Sequence, residues 1–155
     1  MTTKQRKKGH KSLAPRCPYC GSTTVLRSAD GIYHDNSKHV MLYVCKNYPR
    51  CDCYVRVKPG TNLPLGIPAN RQLRQLRTRT HMVFDQLYKT GIMSKRDAYR
   101  WLADFMCCPL SEAHIGLMGE YYCHQVIQES QKILDACHKQ EPLEPEESRE
   151  GGRAS

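Results

Sequence analysis

Apolar positions come in short runs through the first third of the chain and switch to helical spacing after residue 69. Residues 23–27, 40–44 and 54–57 combine β-branched, aromatic and aliphatic side chains and are bounded by turn-forming residues. That pattern predicts short strands. Asp30-Gly31 is a dipeptide favoured in type I′ hairpin turns, so residues 32–34 are expected to return as a further short strand. Residues 35–38 read as a polar loop and 59–68, rich in Pro and Gly, as a linker. From residue 69 to 89, Leu73, Leu76, Thr80, Val83 and Leu87 recur at spacings of three and four, which predicts one helix stopped by Gly91. Ser94 is an N-cap for a second helix whose inner face is Ala98, Trp101, Leu102 and Phe105. Residues 111–116 form a turn or short helix. A last helix spans 119–138, with Tyr122, Val126, Ile127, Ser130, Ile133, Leu134 and Cys137 facing inward. The fold class is α+β: an N-terminal β-ribbon over 17–58, then a three-helix bundle over 69–139.

Composition adds a stability problem. Among 155 residues there are two Phe and one Trp. A ribbon of about 40 residues with so little apolar bulk cannot fold on burial alone. The cysteines supply the remedy. Cys17 and Cys20 flank a two-residue turn followed by Gly21, and Cys45 and Cys51 flank a longer turn built on Tyr48-Pro49. Two such knuckles present four thiolates to one tetrahedral ion, a closed structural Zn2+ site with no open position for catalysis. Cys53 is the alternate fourth ligand. Disulfides would require an oxidising compartment. The basic N-terminus leads into no apolar run, so no secretory segment is expected, and nine cysteines do not pair evenly. No stretch is long and apolar enough to span a membrane, so a cytoplasmic protein is expected.

Charge points to the partner. The net charge is +9, and residues 1–16 carry six Lys/Arg and no acid, whereas 140–155 carry five acids and two bases. A basic arm (1–16), a basic body and an acidic tail (140–155), both ends expected to be disordered, fit a polyanionic partner. On the ribbon, Tyr19, Tyr33 and Tyr48 offer stacking surfaces, and Lys46, Arg50 and Arg56 offer phosphate contacts. Arg71, Arg74, Arg77 and Arg79 load the start of the first helix, where the helix dipole disfavours cations. Either an anion sits there, or these side chains pair with acids elsewhere in the chain. His81 and Asp85 share a helix face and, with His114, form a polar group of open role. The bland reading is a polar link between helices. No Gly-rich phosphate loop, nucleophile elbow or HExxH motif occurs, and acids are scattered singly.

Cys17-Pro18-x-Cys20-Gly21, followed by a strand ending in Cys45 and then Asn47-Tyr48-Pro49-x-Cys51, resembles the C-terminal zinc ribbons of type IA DNA topoisomerases. The resemblance implies single-stranded DNA binding. The gap between the Cys pairs is longer here, and no topoisomerase core accompanies it. Residues 17–135 also resemble an uncharacterised family of zinc-finger-containing proteins of bacteria and phages. The features carrying that likeness are the four-cysteine ribbon, Pro64-Leu65-Gly66, Arg77-x3-His81-x2-Phe84-Asp85, Arg96-x-Ala98-Tyr99-x-Trp101-Leu102, and His114-Ile115-Gly116 with Cys123 beyond it. It implies the two-part layout and no particular activity. The expected function is nucleic-acid binding, with DNA favoured. A protein–protein adaptor or inhibitor is the second reading, and a metal-dependent nuclease the third.

Overall fold

The computed structural model describes residues 13–140. Most of the expected basic arm, residues 1–12, and the acidic tail from 141 onward lie outside them. Strands β1 (Thr24–Ser28), β2 (Met41–Cys45) and β3 (Tyr54–Arg56) form an antiparallel sheet in the order β1-β2-β3. Thr24 pairs with Cys45 and Leu42 with Arg56. The central strand is apolar throughout because both its faces are covered. Leu42 and Val44 pack with Ala29, Tyr33, Tyr48 and Tyr54, whereas Tyr43 packs with Val55 and Val57. One residue further along β2, Cys45 is delivered to the end of the sheet.

Residues 32–34 do not form the strand expected from Asp30-Gly31. The carbonyl of Ala29 accepts from the N–H groups of both Ile32 and Tyr33, which closes a tight turn. Asn36 then bridges the loop: its amide nitrogen donates to Ser28 Oγ at 3.2 Å and Asp30 Oδ1 at 2.8 Å, and its oxygen accepts from Val40 N at 2.7 Å. With its local groups satisfied by a side chain, the segment has no need of a ladder. The partner of β1 is β2.

The first helix is shorter than its apolar stripe predicts. Helix α1 covers Arg71–Phe84, capped by Asn70, whose side chain accepts from Leu73 N at 3.0 Å. A short α2 (Gln86–Lys89) follows across Asp85, itself in the right-handed helical region. Val83 packs against the core as its spacing predicts, and Phe84 beside it is fully buried. Helix α3 (Lys95–Met106) is capped by Ser94, as its sequence predicts, and ends at Cys107 in the left-handed region. Two single-turn 3-10 segments, Leu110–Glu112 and Ile115–Leu117, lead into α4 (Glu120–His138), which packs along α1. One core of 14 buried residues unites these helices. Trp101 borders that core, stacked against Phe84 and Phe105.

The two halves are joined by more than the chain. Tyr54 and Ala69 exchange both backbone hydrogen bonds at 3.1 Å, so β3 is docked on the residue before the α1 cap. Residues 59–68, expected as a linker, are tied on both sides: Leu65 N donates to Arg56 O at 2.8 Å and Ile67 N to Gly116 O at 3.0 Å. Gly66 crosses Gly116 so closely that a Cβ on Gly66 would stand 2.2 Å from the Gly116 carbonyl oxygen.

Candidate metal centre and the adjoining cleft

The sheet brings its two cysteine turns together at one end. In the first, Gly21 N donates to Cys17 O at 2.9 Å, and Gly21 adopts φ +70, a region in which a Cβ is strained. In the second, Tyr48 N donates to Cys45 O at 2.9 Å and Cys51 N to Asn47 O at 3.1 Å. The Sγ atoms of Cys17, Cys20, Cys45 and Cys51 all lie within 4.8 Å of one another, with Cys20–Cys45 at 3.4 Å and Cys17–Cys51 at 3.6 Å. Zn–S bonds of about 2.3 Å in a tetrahedron set the sulfurs about 3.8 Å apart, so the four-cysteine cluster fits one structural Zn2+. Cys53 is fully buried beside Cys17 but falls outside this set; its carbonyl instead accepts from Cys45 N at 2.9 Å. Asn47, which spacing alone did not single out as a ligand support, donates to Ser22 Oγ at 2.9 Å and approaches Cys20 Sγ at 3.5 Å, orienting that sulfur from outside.

Four thiols this close cannot all ionise without a cation. Hydrogen bonds from Ser22, reinforced by Cys45 and Asn47, pull the Cys20 thiol down to about 6. Burial, with Cys17 adding to it, pushes Cys51 up to about 12. Burial also raises Cys45, whereas for Cys17 backbone N–H groups outweigh burial and lower it. A divalent ion removes the conflict by favouring the thiolate at every position.

The predicted nucleic-acid residues separate into two groups. Lys46 and Arg50 are exposed on the second metal turn, and Arg56 is exposed at the end of β3. Tyr48 is half-buried against Leu42 and Val44. Tyr19 keeps its ring 48% exposed while its hydroxyl accepts from Asn70 N at 3.2 Å. Arg71 is exposed, and its backbone N–H donates to Asp52 Oδ2 at 3.2 Å. Arg74 and Arg77 point inward instead. Arg74 lies 3.7 Å above the Tyr54 ring, donates to the carbonyls of Asp52 and Ala69 at 2.6 Å each, and stands 3.7 Å from the Asp52 carboxylate. Arg77 donates to Met118 O at 2.9 and 3.0 Å and to Ile67 O at 2.8 Å. Burial lowers its pKa from the usual arginine value. Of the two alternatives for the arginines at the start of α1, Arg74 follows the second, and its acid is the chain's own Asp52, a residue no sequence pattern marked.

Between the ribbon and the helices lies a cleft of about 570 Å³. It gathers Arg56 and Tyr54 from β3, His81 from α1, Tyr99 from α3, and His114 from the turn before α4. Its lining includes no carboxylate. Asp85 lies behind it: its Oδ1, buried with no hydrogen-bond partner among the described residues, stands 3.7 Å from His81 Nδ1, and its Oδ2 stands 3.7 Å from Lys89 Nζ. The structure thus brings His81 and His114 to one cavity and leaves Asp85 as a support. Cys123 is fully buried in the helical core, where burial raises its pKa. Among the described residues, the four-cysteine set is the sole grouping of three or more potential metal ligands. Sequence reasoning did not foresee the cleft, because Tyr54, Gln75 and Tyr99 meet there only through tertiary packing.

A zinc-fitting β-ribbon fused to a compact helical bundle defines the class: a zinc-finger protein with its metal in a structural role. Within that class, residues 13–133 match the DUF3268 family, a zinc-finger-containing domain, and the chain belongs to it. Comparison with curated proteins and with solved structures found no match. Among the described residues no helix is long and apolar enough to cross a membrane.

Proposed function

We propose that this zinc-finger protein binds nucleic acid, single-stranded or structured DNA in particular, and catalyses no reaction of its own. The observation that carries the reading is the pairing of basic and aromatic side chains in a cleft that no acid lines. Lys46 and Arg50 stand exposed on the metal turn, and the cleft combines Arg56 with Tyr33, Tyr54 and Tyr99 while no carboxylate lines it. Basic grooves with stacking platforms hold single strands without reading sequence. The likeness of the cysteine turns to topoisomerase zinc ribbons supports the same substrate. A bacterial or phage origin and a reducing cytoplasm fit cysteines kept as zinc ligands.

Fluorescence anisotropy of the zinc-loaded protein with labelled single-stranded DNA, duplex DNA and RNA tests the reading. Submicromolar binding to one class is expected, with log K falling by about 0.7 per contacted phosphate for each unit of log salt on a single strand. Lys46→Glu and Arg50→Glu each lower affinity across all sequences alike. Weak, equal binding to the three ligands overturns the proposal.

A second reading, docking on a partner protein, is favoured by one feature. Leu63, Leu65 and Ile67 alternate along the connector with 46%, 48% and 45% exposure. Binding of that kind would depend on these apolar side chains and little on salt.

A further inference from the structure

We propose that the cleft between ribbon and helices seats one nucleotide unit: the base against its tyrosines, the phosphate against Arg56 and His114. The proposal rests on the nucleic-acid reading and adds a defined subsite to it. Its volume, about 570 Å³, is that of a small-molecule site, since such pockets run from about 300 to 1,000 Å³. Three aromatic rings reach it from three separate elements: Tyr33 from the loop after β1, Tyr54 from β3 and Tyr99 from α3. Val55 and Ile115 complete an apolar wall of the kind a base face prefers to water.

The polar groups are those a nucleotide needs. Among the described residues the side chains of Arg56 and His114 make no hydrogen bond or ion pair, both are exposed, and both line the cleft. Gln75, exposed on α1, contributes an amide that can both donate to and accept from a base edge. With no carboxylate in the lining, nothing there repels a phosphate. Arg74 and Arg77 line the cleft too, but their hydrogen bonds go to the protein. They are positioning residues: Arg74 holds the Tyr54 ring at 3.7 Å, and Arg77 ties the connector to the turn bearing His114 through Ile67 and Met118. The site is therefore largely formed before a ligand arrives, which lowers the ordering cost of binding.

A free mononucleotide and one nucleotide of a bound strand share this chemistry, and the test separates them. The full-length, zinc-loaded protein is titrated calorimetrically with deoxythymidine 5′-monophosphate, deoxyadenosine 5′-monophosphate and inorganic phosphate. In parallel, its affinity for a labelled single-stranded oligonucleotide is measured in wild type, His114→Ala and Gln75→Trp. Both substitutions are at exposed positions, and circular dichroism checks that the fold is kept. The expected result is saturable mononucleotide binding at least about tenfold tighter than phosphate, lost in Gln75→Trp, with strand affinity reduced about tenfold, the effect of one lost base stack. Reduced strand affinity without mononucleotide binding also supports the site and assigns it to the strand. Mononucleotide binding without strand binding supports the site and removes the proposed function. Unchanged strand affinity in both variants with no mononucleotide binding overturns the subsite and leaves the function standing. Phosphate binding as tight as the nucleotides overturns it as well, and no binding of either kind overturns both.

Discussion

At the scale of single residues, proximity decides which chemistry each side chain performs. Cys51 and Cys53 are two positions apart, but only the sulfur of Cys51 joins the four-membered set. Cys51→Ser is therefore expected to lose stoichiometric zinc by elemental analysis, whereas Cys53→Ser keeps it and loses modest stability for a buried hydroxyl; full zinc in Cys51→Ser would remove it from the ligand set. The arginines divide in the same way. Removing Arg74 leaves the Asp52 carbonyl without that donor, while Ala69 O keeps Tyr54 N and the half-exposed Asp52 carboxylate keeps Arg71 N, and Arg74→Ala is expected to cost about 1–3 kcal/mol by denaturant unfolding. Arg71→Ala, an exposed side chain, should stay within about 0.5 kcal/mol of wild type. In sequence these arginines are equivalent, three positions apart on one helix. Spacing exposes metal ligands because the ligands come in local pairs. It cannot tell a brace from a free cation, since the partner of Arg74 lies 22 positions away.

At the scale of elements, periodicity located the three long helices of the described residues without separating α2 from α1, and its errors were local. The sequence pattern placed Tyr122 inward where it is 42% exposed, and it drew a strand at 32–34 where Asn36 staples a loop. What it could not disclose was the contact between elements. Gly66 and Gly116 read separately as a connector glycine and a turn glycine, yet their backbones cross, and the hydrogen bond from Ile67 N to Gly116 O at 3.0 Å depends on the approach. A methyl at Gly66 meets a backbone carbonyl, which cannot rotate away as a flexible side chain would. Gly66→Ala is expected to destabilise the protein by about 2–4 kcal/mol in chemical denaturation. Because this crossing holds one wall of the cleft, the same variant should weaken any ligand bound there even where the fold survives. Gly31→Ala, a position with φ +79 and open space around it, should cost about 1–2 kcal/mol through backbone strain and leave the cleft intact.

At the scale of the whole molecule, two unequal sources of stability are joined by a small set of bonds. The ribbon's apolar clusters contain three buried residues each, too few to hold a sheet of this size without the metal. The helices share a core of 14 buried residues and need no ion. Their junction is specific but thin: the Tyr54–Ala69 backbone pair, the Arg74 contacts, the Tyr19 hydroxyl on Asn70 and the Arg77 bonds to Ile67 and Met118. Chelation of zinc should therefore unfold the sheet and leave most helical ellipticity. The first turn of α1 should fray, because its backbone N–H at Arg71 loses Asp52. The bundle's melting temperature should fall by several degrees, as loss of about 1–2 kcal/mol of junction contacts implies for a domain of this size. Circular dichroism and tryptophan fluorescence report this jointly, since Trp101 stacks within the bundle and is far in sequence from the ribbon. Retained Trp101 fluorescence with lost strand affinity would show the bundle standing alone while the ribbon carries the binding. A single transition abolishing helix, Trp101 packing and zinc content together would instead make the junction, rather than the bundle's own core, the decisive source of the fold's cooperativity.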